Sequence, residues 1–326
     1  MRVSKRVLVA AAVVLAASWG LSLLVVVDPQ LLGSDGRAGS PPPPAGLALA
    51  SKRHPAAPRS PFALQRAPKR LPVHVGFARP PRAGILFDVD TGQVLWQREP
   101  QRRLPIASLT KMITALIIAR RDPPDEPVPI TRQVLAYQGS GIGVLPKGKK
   151  VPVRDLFYGL LLVSGNDAAI ALAQHDSGSV PAFVRRMNDW RGRLGLRCSR
   201  FSSPSGILDK GNYSCPRDLA ALARADLATP RIRRVVATRQ ARFPFPVKGG
   251  YLDLYNNNPF IVMGMKGITG LKTGYTDAAG RCYVTTQRVA GHELGVVLLA
   301  TPNPLDQVPA LLRAGRRVER SSDRPR

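Results

Sequence analysis

The chain has 326 residues, with 48 Lys+Arg against 21 Asp+Glu and a formal net charge of +27. That length holds one large domain or two small ones with a real core, and the charge directs attention to anionic surfaces: nucleic acid, acidic lipid headgroups or wall polymers. Three cysteines without a C-x-x-C pair or a spaced Cys/His set exclude a zinc module.

Arg2, Lys5 and Arg6 precede Val7 to Val27, an uncharged run closed by Asp28-Pro29. At roughly twenty residues this run can span a bilayer with its basic flank cytoplasmic. A cleavable signal peptide is the alternative, with Ala16-Ala17-Ser18 as its cut site. The length favours an uncleaved anchor over residues 1–31. In both cases the rest of the chain is exported, and nucleic acid falls away as a partner. Residues 32–82 hold Pro41 to Pro44, scattered basic residues and few large apolar ones, and read as a disordered linker.

Order is expected from Ala83. Gly84 to Val89 and Gln93 to Trp96 flank Asp90-Thr91-Gly92, the pattern of a β-hairpin. Leu109, Met112, Ile113, Leu116 and Ile117 then recur at helical steps, predicting a helix buried on one side. Pro105 and Ser108 mark its start and Asp122-Pro123-Pro124 its end. Residues 120–150 are rich in Pro and Gly and read as surface loop; Gly139 to Gly143 lack the Lys-Ser/Thr of a phosphate loop.

Further helices are expected over 153–163, 168–174, 181–194 and 218–228. Phe243 to Phe260 reads as irregular. Strand-like runs follow at Ile268 to Tyr275, Cys282 to Thr286 and Leu294 to Leu299, with Gly291 in a hairpin connection. A helix over 305–318 closes the domain (83–318) before a basic tail, 319–326. Strands at both ends with helices between imply one α/β (α+β) domain whose antiparallel sheet is completed by its two termini. His292-Glu293 begins like a zinc-protease motif, but Val296 stands where the second His is needed. His54, His74 and His175 have no ligand partners in the sequence, and Cys282 reads as a buried free thiol. Cys198 and Cys215 share a turn-rich segment and are disulfide candidates in an oxidising compartment; two free thiols are the alternative.

Ser108 and Lys111 fall one helical turn apart on one face. An uncharged amine at that position can activate a serine hydroxyl as a nucleophile. Two more short signatures follow, Ser164-Gly165-Asn166 and Lys272-Thr273-Gly274. In this order, and in the wider words Pro105 to Lys111, Ser164 to Ala169, Pro204 to Ile207 and Lys272 to Thr276, the chain resembles the D-alanyl-D-alanine carboxypeptidase family from about Ala83 to Leu312.

The resemblance implies a β-lactamase/DD-peptidase-like fold with helices on both faces of the sheet and an all-helical lobe. It implies Ser108 as nucleophile, Lys111 as its base, Ser164 as proton relay and Asn166 as an amide offered to the substrate. Lys272 and Thr273 would hold the substrate carboxylate, Gly274 would permit close approach, and the Ser108 and Tyr275 N–H groups would form the oxyanion hole. No metal or organic cofactor is implied. The implied partners are peptidoglycan stem peptides and β-lactams, with the membrane and anionic wall polymers or lipids as sites of attachment. DD-endopeptidase, β-lactamase and a non-catalytic wall-binding scaffold stand as alternatives. One departure is Thr269, where the family often carries an acidic residue, so that a local salt bridge is expected to be missing.

Overall fold

The computed structural model describes residues 60–322 apart from 247–249 and 290. The expected membrane segment, the linker up to residue 59 and the last four residues of the tail lie outside these.

The chain opens with a hairpin, β1 (Ala83–Asp88) and β2 (Val94–Arg98). A 3-10 turn (Ala107–Thr110) leads into α1 (Lys111–Arg121). A lobe follows, built from β3 (Pro127–Pro129), α2 (Arg132–Leu135), β4 (Lys150–Pro152), α3 (Val153–Leu161), α4 (Asn166–Ser177) and α5 (Val180–Arg193). Next come α6 (Pro216–Leu227), α7 (Pro230–Val236), β5 (Gln240–Pro244), β6 (Tyr251–Tyr255) and α8 (Pro259–Val262). Then β7 (Ile268–Thr276), β8 (Gly280–Val289), β9 (His292–Leu299) and α9 (Pro304–Ser322) complete the domain.

The main sheet runs β2-β1-β9-β8-β7 with antiparallel pairings throughout, so the two ends of the domain meet at β1 and β9. Because strand side chains alternate faces, each strand feeds two cores. Ile85, Phe87, Val297 and Leu299 pack with α1 and α6 on one face. Leu86, Val296 and Leu298 pack with Val308, Leu311 and Leu312 of α9 on the other. Helices on both faces and the separate lobe are as expected.

Four expectations change. First, α1 is not buried on one side only: every residue from Lys111 to Ile118 is buried, because the helix is sandwiched between sheet and lobe. Each large side chain contributes about 1.5–3 kcal/mol there. Second, residues 60–82 pack against the domain, with Leu64 and Val73 buried. Arg217 Nη2 donates to the carbonyls of Leu64 and Gln65, Arg224 Nη1 to that of Ala63, and the Gln65 and Val73 N–H groups donate to the carbonyls of Gly92 and Leu95 in the first hairpin. Third, the stretch read as irregular forms the β5–β6 hairpin and α8. Fourth, the last helix continues to Ser322 rather than ending at Val318.

Candidate active site

Lys111 opens α1, and its amine is fully buried. Nζ lies 2.9 Å from Ser108 Oγ, 2.7 Å from Asn166 Oδ1 and 2.8 Å from the Ser205 carbonyl oxygen. Burial holds its pKa well below the ordinary lysine value, and the charge of Lys272 lowers it further, against an opposing pull from Asp167. The neutral form is therefore favoured. A neutral amine has two N–H groups and one lone pair. Asn166 Oδ1 and the Ser205 carbonyl can only accept, so they take the two N–H groups. The lone pair is left facing the Ser108 hydroxyl, which is the geometry of a general base on its nucleophile.

Main-chain geometry fixes Ser108. Ala107 before it has φ 47°, a conformation an L-residue adopts only when its surroundings impose it. Those surroundings are Gly206, where a Cβ would stand 2.0 Å from the Ala107 carbonyl oxygen, and Thr110, whose hydroxyl donates to that oxygen. From the other side comes β7. A Cβ at Gly274 would lie 2.9 Å from the Ser108 nitrogen, so only glycine lets this strand reach Ser108.

Lys272 on β7 is also buried, and its pKa is lowered to about 7 by burial; its Nζ donates to the Thr273 carbonyl. Although 161 positions separate the two lysines (272 − 111), Lys272 lies two residues from Gly274, the point at which β7 meets Ser108, and its charge is close enough to lower the Lys111 pKa. Ser164, at the α3–α4 junction, has φ 63°, and its buried hydroxyl has no hydrogen-bond partner among the described residues. Thr273 Oγ1 lies 3.3 Å from Asn257 Oδ1. Tyr275 is exposed, and its hydroxyl donates to Asp277. Asn166 spends one Nδ2 hydrogen on the Gln138 carbonyl, which leaves the other free to donate.

Sequence reasoning missed several contributors. Ser205 acts through its carbonyl, a group every residue has. Asp167 accepts from the Ile142 and Gly143 N–H groups and pins the glycine-rich loop beside the cleft, so that stretch is fixed rather than free surface. Thr269 reaches a carboxylate after all: its hydroxyl donates to Glu293 of β9, which also takes Arg233 at 2.7 Å and Arg288 at 3.0 Å. Burial would raise the Glu293 pKa, yet the bonds from Thr269 and Arg233 hold it below the usual value. Thr269 itself forms no salt bridge, as expected, but its hydroxyl joins the ion pairs that Glu293 makes with Arg233 and Arg288.

Cys198 and Cys215 are joined in a disulfide, 17 positions apart, and Cys282 is a buried free thiol. The bridge closes the loop that carries Ser205 and Gly206. Inside it, Arg200 and Tyr213 exchange backbone hydrogen bonds, and Asn212 donates to Thr110. Replacing both bridged cysteines by alanine is expected to cost about 3 kcal/mol, the entropy of releasing a loop of this size. Acylation should slow as well, since the carbonyl holding Lys111 loses its brace. Thermal unfolding together with the rate of labelling by a fluorescent penicillin checks both.

Residues 80–303 match the D-alanyl-D-alanine carboxypeptidase family. Among curated relatives, the D-alanyl-D-alanine carboxypeptidase DacD of Salmonella typhimurium is 35% identical over 67% of this chain and 59% of its own. DacF of Bacillus subtilis is 29% identical over 69% and 59% respectively. The chain thus spans 59% of the length of these relatives. Among solved structures, a D-alanyl-D-alanine carboxypeptidase from Mycobacterium tuberculosis has 29% identity and a TM-score of 0.70, covering 77% of this chain and 96% of that one. A point mutant of the Streptomyces K15 DD-transpeptidase has 28% identity and a TM-score of 0.69, covering 74% and 99%. The fold agrees with these matches, and the chain belongs to the D-alanyl-D-alanine carboxypeptidase family.

Proposed function

We propose that this protein is a serine-type D-alanyl-D-alanine carboxypeptidase that removes the terminal D-Ala from peptidoglycan stem peptides and is acylated by β-lactams. The observation that carries this reading is the lone pair of Lys111, directed at Ser108 Oγ from 2.9 Å by two obligate acceptors.

Ser108 Oγ attacks the carbonyl carbon of the penultimate residue while its proton passes to Lys111 Nζ. The oxyanion is received by the N–H groups of Ser108 and Tyr275. Collapse breaks the C–N bond, and the proton moves from Lys111 through the Ser164 hydroxyl to the departing amine. An ester on Ser108 remains. Water, deprotonated by Lys111, hydrolyses it and restores the serine. Lys272 and the Thr273 hydroxyl hold the terminal carboxylate. None of these steps calls for a metal or cofactor.

The proposed setting is extracytoplasmic, with residues 7–27 as the anchor and anionic wall polymers or lipids as attractants for the net charge of +27. Among the described residues no helix is long and apolar enough to cross a membrane. The full-length protein in detergent, mixed with a pentapeptide ending in D-Ala-D-Ala, is expected to release free D-Ala, detected by mass. Fluorescent penicillin should label it covalently, and Ser108→Ala should abolish both signals. An unlabelled wild-type protein would instead be the scaffold.

A further inference from the structure

Asp167 follows Asn166 in the first turn of α4 and is fully buried, yet the acylation steps above give it no task. Three main-chain N–H groups satisfy its carboxylate. Oδ1 accepts from Ile142 at 2.9 Å and from Ala168 at 2.7 Å, and Oδ2 accepts from Gly143 at 3.0 Å. The N-terminus of the helix favours a negative charge at this point. Room for it comes from the sequence: a Cβ at Gly165 would stand 2.7 Å from Asp167 Oδ1, so the glycine between Ser164 and Asn166 admits the carboxylate. On the far side the Ile142 side chain lies over Gly159 of α3, where any Cβ would collide with it.

The loop held in this way returns to Asn166. The Gln138 carbonyl accepts from Asn166 Nδ2, and the Ser140 carbonyl accepts from the Asn166 main-chain N–H at 2.8 Å. An amide whose Nδ2 is committed to one carbonyl must turn Oδ1 the other way, and Oδ1 meets Lys111 Nζ at 2.7 Å. Released from the loop, the amide is free to rotate and offer Lys111 its NH2 group. The amine lone pair would then be spent on Asn166 instead of facing Ser108.

Building on the acylation reading above, we infer that Asp167 is a positioning residue for the base: through Ile142 and Gly143 it holds the 138–143 loop, the loop fixes the Asn166 amide, and the amide directs the Lys111 lone pair. Asp167 also acts through its charge. The charges felt at Lys111 are Lys272 of β7, which lowers its pKa, and Asp167 of α4, which raises it. An asparagine at 167 keeps the size of the side chain but brings one oxygen where there were two. Its NH2 group would face an N–H that has lost its acceptor.

The test follows labelling of the full-length protein by a fluorescent penicillin across pH, with thermal unfolding as the control for folding. Asp167→Asn should acylate about tenfold more slowly on the plateau, the scale of one buried hydrogen bond lost. Its rising limb should move to lower pH, because the anion that favours protonated Lys111 is gone. Gly139→Ala alters the exposed loop and keeps that anion. Its Cβ would come within 3.1 Å of Asn166 Nδ2 at a φ of 75°, so acylation should slow while the limb stays in place. The inference is overturned if either folded variant labels at the wild-type rate. It is overturned equally if Asp167→Asn slows without moving the limb, as a residue that only packs would. Should Asp167→Asn fail to fold, Gly139→Ala decides alone. Failure of the underlying acylation reading looks different, since then wild type is not labelled at any pH.

Discussion

Lys111→Met is expected to slow acylation of Ser108 by about 10²–10⁴-fold, the span over which a positioned general base contributes. Methionine is unbranched and adaptable and can fill the channel of the lysine stem, so the surrounding apolar packing of α1 survives. Asn166 Oδ1 and the Ser205 carbonyl each lose a donor, at about 1–3 kcal/mol for a buried acceptor left bare. Against this, a desolvated amine is removed from the core. Fold stability should therefore change far less than rate. Lys111→Arg should lose as much activity for another reason, since a guanidinium stays protonated and offers no lone pair. Stopped-flow labelling with a fluorescent penicillin reads the rate, and thermal unfolding reads stability. Acylation within about tenfold of wild type in either variant would remove Lys111 from the role of base.

How far the site could be read in advance depends on whether its parts belong to side chains or to backbone. Ser108, Lys111, Ser164 and Lys272 announce themselves by identity and order, and their settings at a helix start, an interhelical junction and a strand followed from local periodicity. The Ser205 carbonyl carries no such mark, although it is one of the two acceptors that orient Lys111. Glu293 was legible only as a failed metal motif. Its partner Thr269 lies 24 positions away, and sheet register alone brings them together. The β5–β6 hairpin was obscured by Pro244, Pro246, Gly249 and Gly250, strong breakers in the middle of the segment. Yet Tyr-Leu-Asp-Leu-Tyr (251–255) alternates as a half-buried strand should, with Leu252 and Leu254 inward. Residues 60–82 have linker composition and few large apolar groups. Besides the buried Leu64 and Val73, guanidinium contacts from Arg217 and Arg224 to main-chain oxygens hold them, which composition does not show.

The pH dependence of kcat/KM should expose Lys272 as the second of the two decisive charges. Lys111 works as a base only when neutral, so activity should rise with pH as it loses its proton. In the proposed role Lys272 would hold the substrate carboxylate only when charged, so its pKa of about 7 should set a falling limb there for substrates ending in a carboxylate. In Lys272→Arg the cation persists at all accessible pH values, and the falling limb should disappear. In Lys272→Met, kcat/KM should drop by about 10²–10³-fold, the cost of removing one group that stabilises charge in the site. Its rising limb should also move to higher pH, because a charge that lowers the Lys111 pKa is gone. A residue that merely filled space would move neither limb. Stability should change in the opposite sense to activity. The Lys272 amine is held below its unfolded value of 10.5. Between about pH 7 and 10.5 the unfolded chain therefore binds the extra proton, and wild-type stability rises with pH across that window. Lys272→Met removes this cost, so it should unfold at a higher temperature than wild type below pH 7, with the gain fading toward pH 10.5. Thermal unfolding of both proteins at pH 6 and pH 10 decides the point: a variant that gains nothing at pH 6 would show that the buried ammonium is not held at a cost.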